Sequence, residues 1–348
     1  MMSSDHAIRR FTFFALATVA TIYALILVGG VVRATGAGMG CPDWPTCFGQ
    51  WIPPTDAAQL PADYQSVYAD RGYADTTFNV VKTWTEYLNR LLGVFTGFTI
   101  LVTLIASVPL RRRVCGLFPL SLLAFVLVGV QGWLGSRVVA SNLEPGMITV
   151  HMLLAQVIVG LVIAAAVVAV RPRIDAEAIR ALPRGIIVAL YAAMALGIAQ
   201  LVIGTQVREA VDHLSRAAVE VERHLWIGSL PMSFSVHKWL AAPLLALTAW
   251  IAWSVLSTNR SGVLRALNVA LVGLMLGTIA VGMSMDRLHL PIFAQPLHLW
   301  FGSLIFGTQL AILLVIRSAS WRPLDADDGR RVPPTAPSTL SGLPASGA

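Results

Sequence analysis

Charge is scarce in this chain. Asp, Glu, Lys and Arg make up 12% of its 348 residues, 56% are hydrophobic, and the mean hydropathy is +0.71. A soluble domain carries about twice that charge, so a water-soluble globular protein is excluded. Polar alternation is missing too. The apolar residues fall in continuous runs at about 11–32, 86–108, 114–134, 147–170, 184–205, 233–256, 263–283 and 297–317. Continuous runs near the roughly 20 residues needed to cross a bilayer predict helices and exclude a β-barrel. Behind the first run, which follows Arg9 and Arg10, there is no small-residue cleavage site. That excludes a removed signal peptide and predicts a retained first helix.

Cysteine is also rare, with three in all. Cys41 and Cys47, in GCPDWPTCFGQW, fall in the first loop between spans, where an oxidising compartment favours a disulfide. A pair of free thiols and half of a metal site are the alternatives. The metal site is the weakest of the three, because no second Cys or His pair accompanies the cysteines. Cys115 opens the third span and reads as an inert small apolar residue.

The basic residues give orientation. With the N-terminus inside, the inner segments hold 15 basic and 6 acidic residues and the outer ones 10 and 12. The positive-inside rule then places both termini in the cytoplasm. The net charge of +7 is thus a matter of topology and gives no reason to expect a nucleic-acid partner. From about residue 319 the chain is rich in Pro, Ser, Gly and Asp and reads as a disordered cytoplasmic tail.

The chain also repeats internally. LVGGVVRATG matches LVIGTQVREA, pairing Arg33 with Arg208; EYLNRLLG matches SVHKWLA, pairing Asn89 with His237 and Arg90 with Lys238. TVHMLLAQVIVG matches PLHLWFGSLIFG, pairing His151 with His298. The expected fold is all-α, with eight transmembrane helices as two pseudo-symmetric four-helix bundles. Residues 1–172 form one half and 173–318 the other, leaving 319–348 as the tail.

Ionisable groups inside a membrane are costly and mark function. His237 and His298 at equivalent repeat positions predict two axial ligands to one iron porphyrin. The first half keeps His151 but has Asn89 where the second has His237, and it adds Glu86 one turn before Asn89. A saturated iron suits electron transfer, whereas a missing ligand leaves room for substrate chemistry. The asymmetry therefore suggests a cofactor half and a substrate half. Arg33, Arg208, Arg90 and Lys238 flank these positions and suit porphyrin propionates, with Arg90 alternatively neutralising Glu86.

GGVVRATGAGMGCPDWPTCFGQWIPP, EYLNRLLG, GSRVVASNLEPGMITVHM, GTQVRE and LHLWFGSLIFG together resemble the heme A synthase family over about residues 25–310. The resemblance implies oxidation of the C8 methyl group of heme O to a formyl group. It implies a heme b bound by His237 and His298, heme O near Glu86 and His151, and a Cys41–Cys47 pair. The residues themselves add Arg208 on the heme b side, Asn89, Arg33 and Arg90 on the heme O side, and Glu86 as the expected catalytic carboxylate, able to move protons or stabilise a cationic intermediate. The expected partners are heme O itself, a heme O synthase that delivers it, the lipid bilayer and a membrane electron acceptor. The expected location is a bacterial inner (cell) membrane.

One departure stands out: many members carry Glu-x-x-His-Arg where this chain has Glu-Tyr-Leu-Asn-Arg. Bis-His ligation of the substrate heme is therefore not carried over. Either His151 alone holds that iron or another group completes it, with His213, His224 and His289 available in loops. A di-heme, quinol-linked electron-transfer protein is the alternative, and Asn89 argues against it. A transporter would place its polar sites nearer the midplane.

Overall fold

A computed structural model describes residues 2–74, 76–171, 179, 182–216, 225–258 and 262–318. Eight of its helices are long and apolar enough to cross a membrane. They are α1 (Met2–Ala34), α2 (Val80–Ser107), α3 (Leu117–Ala140), α4 (Pro145–Val170), α5 (Ile186–Arg216), α6 (Met232–Thr258), α7 (Gly262–Arg287) and α8 (Ala294–Ser318). The eight expected spans are borne out. The tail and His224 lie outside the described residues.

Local chemistry sets several of the ends. Asn79 caps α2 by accepting from the Lys82 amide at 3.0 Å. Glu144 caps α4 through the Gly146 and Met147 amides, with Pro145 at the first helical position. Several helices overrun their apolar runs. α1 takes in Arg9 and Arg10, α2 starts six residues before Glu86, and α5 continues through Arg208 and Asp212. The hydrogen-bonded backbone continues past the apolar run, because hydropathy marks the hydrocarbon layer and not the helix end.

Helices α1 to α4 pack in a closed ring, each touching the next and α4 returning to α1; α5 to α8 do the same. The sets meet through α1, α4, α5 and α8. Lipid tails are as apolar as leucine, so hydrophobicity alone does not drive helices together in a membrane, and polar groups supply part of the glue. Here Gln156 donates to Ser303 Oγ at 2.9 Å, Trp300 Nε1 to the Tyr23 carbonyl at 2.9 Å, and Thr149 meets Thr205 at 2.9 Å. Phe11, Ile100 and Leu117 fill one apolar core and Leu190, Ile251 and Leu271 the other. Phe13, Phe98, Trp239 and Trp253 point outward, as a lipid-facing surface requires.

The segment between α1 and α2 folds over one end of the first ring. Phe48 is buried at its centre, with Tyr64, Tyr68, Tyr73 and Phe78 edge-on around it at centroid distances of 5.3 to 6.1 Å. Cys41 and Cys47 are joined in a disulfide beneath these rings, with Cα atoms 4.8 Å apart and both residues fully buried. The two alternatives, free thiols and half of a metal site, are set aside by that bond. Cys115 is an exposed free thiol just before α3 and does not pack as an apolar residue.

Candidate functional site

The loop-capped end of the first ring gathers the groups singled out on α2. Glu86 is buried, and its Oε2 accepts from the Cys41 amide at 2.8 Å. Its Oε1 accepts from Arg90 Nε at 3.1 Å and from Arg90 Nη2, one turn on. Arg90 also donates Nη1 to the Asp43 carbonyl at 2.6 Å and the Thr46 carbonyl at 2.9 Å, and Nη2 to the Cys41 carbonyl at 3.0 Å. All five guanidinium donors are thereby engaged, and the disulfide loop, Arg90 and Glu86 form one unit.

One further bond clamps the loop to the first turn of α2, and a second ties the loop to itself. Thr83 Oγ1 donates to the Gly40 carbonyl at 2.9 Å, and Tyr73 OH donates to the Met39 carbonyl at 2.6 Å. Burial, and after it the nearby Glu86 charge, pushes the Tyr73 phenol up, so it stays a protonated donor. Gly40 sits so close to α2 that an added Cβ would lie 2.6 Å from the Lys82 carbonyl carbon. Only glycine permits that approach.

The histidines lie on α4, α6 and α8. The His237 and His298 rings face one another with centroids 6.0 Å apart and planes at 59°. Their Nδ1 atoms, and that of His151, are buried without a hydrogen-bond partner. Two metal–nitrogen bonds of about 2 Å, plus the reach from each nitrogen to its ring centre, separate two axial imidazoles by about 6 Å between centroids. The pair on α6 and α8 fits a six-coordinate porphyrin iron. Among the described residues no group of three or more His, Cys, Asp or Glu is arranged to hold a metal ion. In the first ring, Asn89 Oδ1 is buried and unpartnered.

The remaining sequence candidates fall in three places. Arg33 and Arg208, equivalent in the repeat, share Asp212 at 3.0 and 2.5 Å, and Arg208 donates to Gln295. They tie α1, α5 and α8 together between the rings. Lys238 pairs with Asp286 at 2.8 Å. His213 is exposed beside Glu209. A cavity of about 720 Å³ opens beside the disulfide loop, lined in part by Asp43, Trp44, Tyr68, Arg71 and Arg137.

The family model described as cytochrome oxidase assembly protein, COX15-CtaA, matches residues 12–310. The chain belongs to this family. It is 29% identical to the heme A synthase of Methylobacterium nodulans over 83% of this chain and 87% of that one. It is 24% identical to the heme A synthase of Shewanella oneidensis over 83% and 91%. A third heme A synthase, from Granulibacter bethesdensis, matches at 34% identity over 36% of this chain and 34% of that one. The expected family resemblance is thereby borne out.

Two residues near the histidines were absent from the sequence reading. Gln131 donates to the His151 carbonyl and Gln200 to the His237 carbonyl, each at 3.0 Å. The signal was present in VQGWLG and AQLVIG, where each glutamine precedes a glycine by four residues inside an apolar run.

Proposed function

We propose that this chain is an oxidoreductase of a bacterial cell membrane that converts heme O to heme A, taking the C8 methyl group to a formyl group. The observation that carries this reading is the His237–His298 pair at 6.0 Å, set in a chain of this family. In the proposed arrangement, residues 173–318 hold a heme b through His237 and His298, and residues 1–172 receive heme O near His151 and Asn89. Heme b supplies a one-electron relay when bound.

The chain's own residues then have distinct tasks. Taking a methyl group to a formyl group adds one oxygen atom, and with water as its donor the balance is R–CH3 + H2O → R–CHO + 4 H+ + 4 e−, so the step needs water and a proton acceptor at the reacting edge and a membrane electron acceptor beyond it. Glu86 is the candidate carboxylate, held in place by Arg90 and the Cys41 amide. With all its donors engaged, Arg90 serves as the brace for Glu86 and the loop. Arg33 and Arg208 are the candidates for the propionates, with Asp212 balancing their charge. His151 holds the substrate iron from one side, and Asn89 leaves the other side open. The disulfide loop lies on the outer face with both termini cytoplasmic, and a heme O synthase is the natural supplier of substrate.

The test is heme extraction from purified variants. His237→Ala and His298→Ala should each lose heme b, and Glu86→Gln should keep heme b while losing heme A output. Unchanged heme A output from Glu86→Gln would remove the carboxylate from the reaction.

A further inference from the structure

The histidine on each of α4, α6 and α8 packs against a glycine of the helix before it. An added Cβ at Gly135 would stand 3.4 Å from His151 Cε1, one at Gly204 3.4 Å from His237 Cε1, and one at Gly282 3.3 Å from His298 Cε1. At the fourth such place, a Cβ at Gly29 would lie 3.8 Å from Asn89 Oδ1. Each of these positions therefore has a glycine wall, and the three imidazoles lie flush against it.

Two of the four have something more. One turn before its glycine, Gln131 donates Nε2 to the backbone carbonyl of His151, and Gln200 does the same to His237, both at 3.0 Å. At the corresponding place on α7, Thr278 bonds back to Leu274 of its own helix at 2.8 Å, and on α1 the residue is Leu25. A carbonyl inside a helix already accepts from the amide four residues on, so helix formation does not need this second donor. Moreover, Gln131 Oε1 and Gln200 Oε1 are buried without partners, a cost that a leucine would avoid. The connection between α3 and α4 is short and that between α5 and α6 is long, yet both pairs reach the same geometry.

We propose that Gln131 with Gly135, and Gln200 with Gly204, are positioning pairs that fix the height and ring orientation of His151 and His237 as axial ligands. This inference rests on the heme reading above. The glutamine pins the histidine's helix to its neighbour, and the glycine sets how far the ring swings. Each half then contains one held ligand and one position without a glutamine hold, His298 in the second half and Asn89 in the first.

The experiment uses full-length protein purified in nanodiscs, with heme b per chain and the low-spin electron paramagnetic resonance signal, which reports axial-ring orientation, as readouts. Gln200→Met should lower heme retention about threefold, the size of one interhelical hydrogen bond in a membrane, and shift the signal. Gly204→Val keeps every hydrogen bond but adds branched bulk where a lone Cβ would already touch the ring at 3.4 Å, and it should shift the signal at near-normal heme content. Gln156→Met removes a buried glutamine bond to Ser303 that touches no histidine; it should lower thermal stability and leave the signal unmoved. Should Gln200→Met fail to accumulate, Gly204→Val decides the matter. Wild-type signals from both Gln200→Met and Gly204→Val would overturn the positioning role while leaving heme binding intact. A wild-type preparation without heme would overturn the heme reading, and this inference with it.

Discussion

Arg90 is the residue whose loss should be felt most sharply around the disulfide loop. Its side chain is 12% exposed and that of Glu86 is 4% exposed, so Arg90→Met leaves a nearly water-free carboxylate without its counter-charge. It also removes the donors to the Cys41, Asp43 and Thr46 carbonyls. Breaking a buried ion pair from one side costs about 3–5 kcal/mol. At about 1.4 kcal/mol per decade, that corresponds to roughly a hundredfold to several-thousandfold faster opening of the loop. Hydrogen exchange read by mass spectrometry in nanodiscs measures it directly, since the Cys41 amide is bonded to Glu86 and the Phe48 and Gly49 amides to Asp43. Protection over residues 41–50 should collapse in Arg90→Met while the helix cores stay protected. Adding Glu86→Gln should recover part of it, because the stranded charge is then gone. Unchanged protection of residues 41–50 in Arg90→Met would refute the claim that Arg90 holds the loop.

Two other outcomes follow from the same loop. The Cys41–Cys47 bond is fully buried, so a membrane-impermeant reductant should leave it intact in the folded protein and cleave it only after unfolding, while exposed Cys115 alkylates readily as an internal control; rapid reduction in the native state would show a working redox pair instead. Gly40→Ala should undock the loop from α2, seen as new protease cleavage between residues 42 and 78 and loss of Glu86-dependent activity, whereas Gly273→Ala on α7, away from the histidines and with nothing within 4 Å, should behave as wild type.

The helices were legible because length and apolarity are sufficient evidence for a span. The histidines were legible because an imidazole is conspicuous in such a run and because the repeat aligned them. The disulfide was one of three open readings, and burial beneath an aromatic cluster gave it a structural context that spacing alone does not supply. Other features depended on tertiary approach. The Cys41 amide meets Glu86 across 45 residues, and no local pattern announces such a contact. Asp212 escaped notice because α5 was read as ending near 205, while its backbone continues past the apolar run and carries Asp212 within reach of two arginines. Gln131 and Gln200 gain their meaning only from the neighbouring helix, which places a histidine carbonyl opposite each.

Expression in a bacterial membrane that makes heme O but no heme A, followed by extraction and chromatography of the hemes, tests the central claim most directly. The account predicts heme A in the wild-type strain and its absence when Glu86 is replaced by Gln. Heme b in the purified protein, with heme O unconverted under competent expression, would contradict it and favour a membrane electron-transfer role.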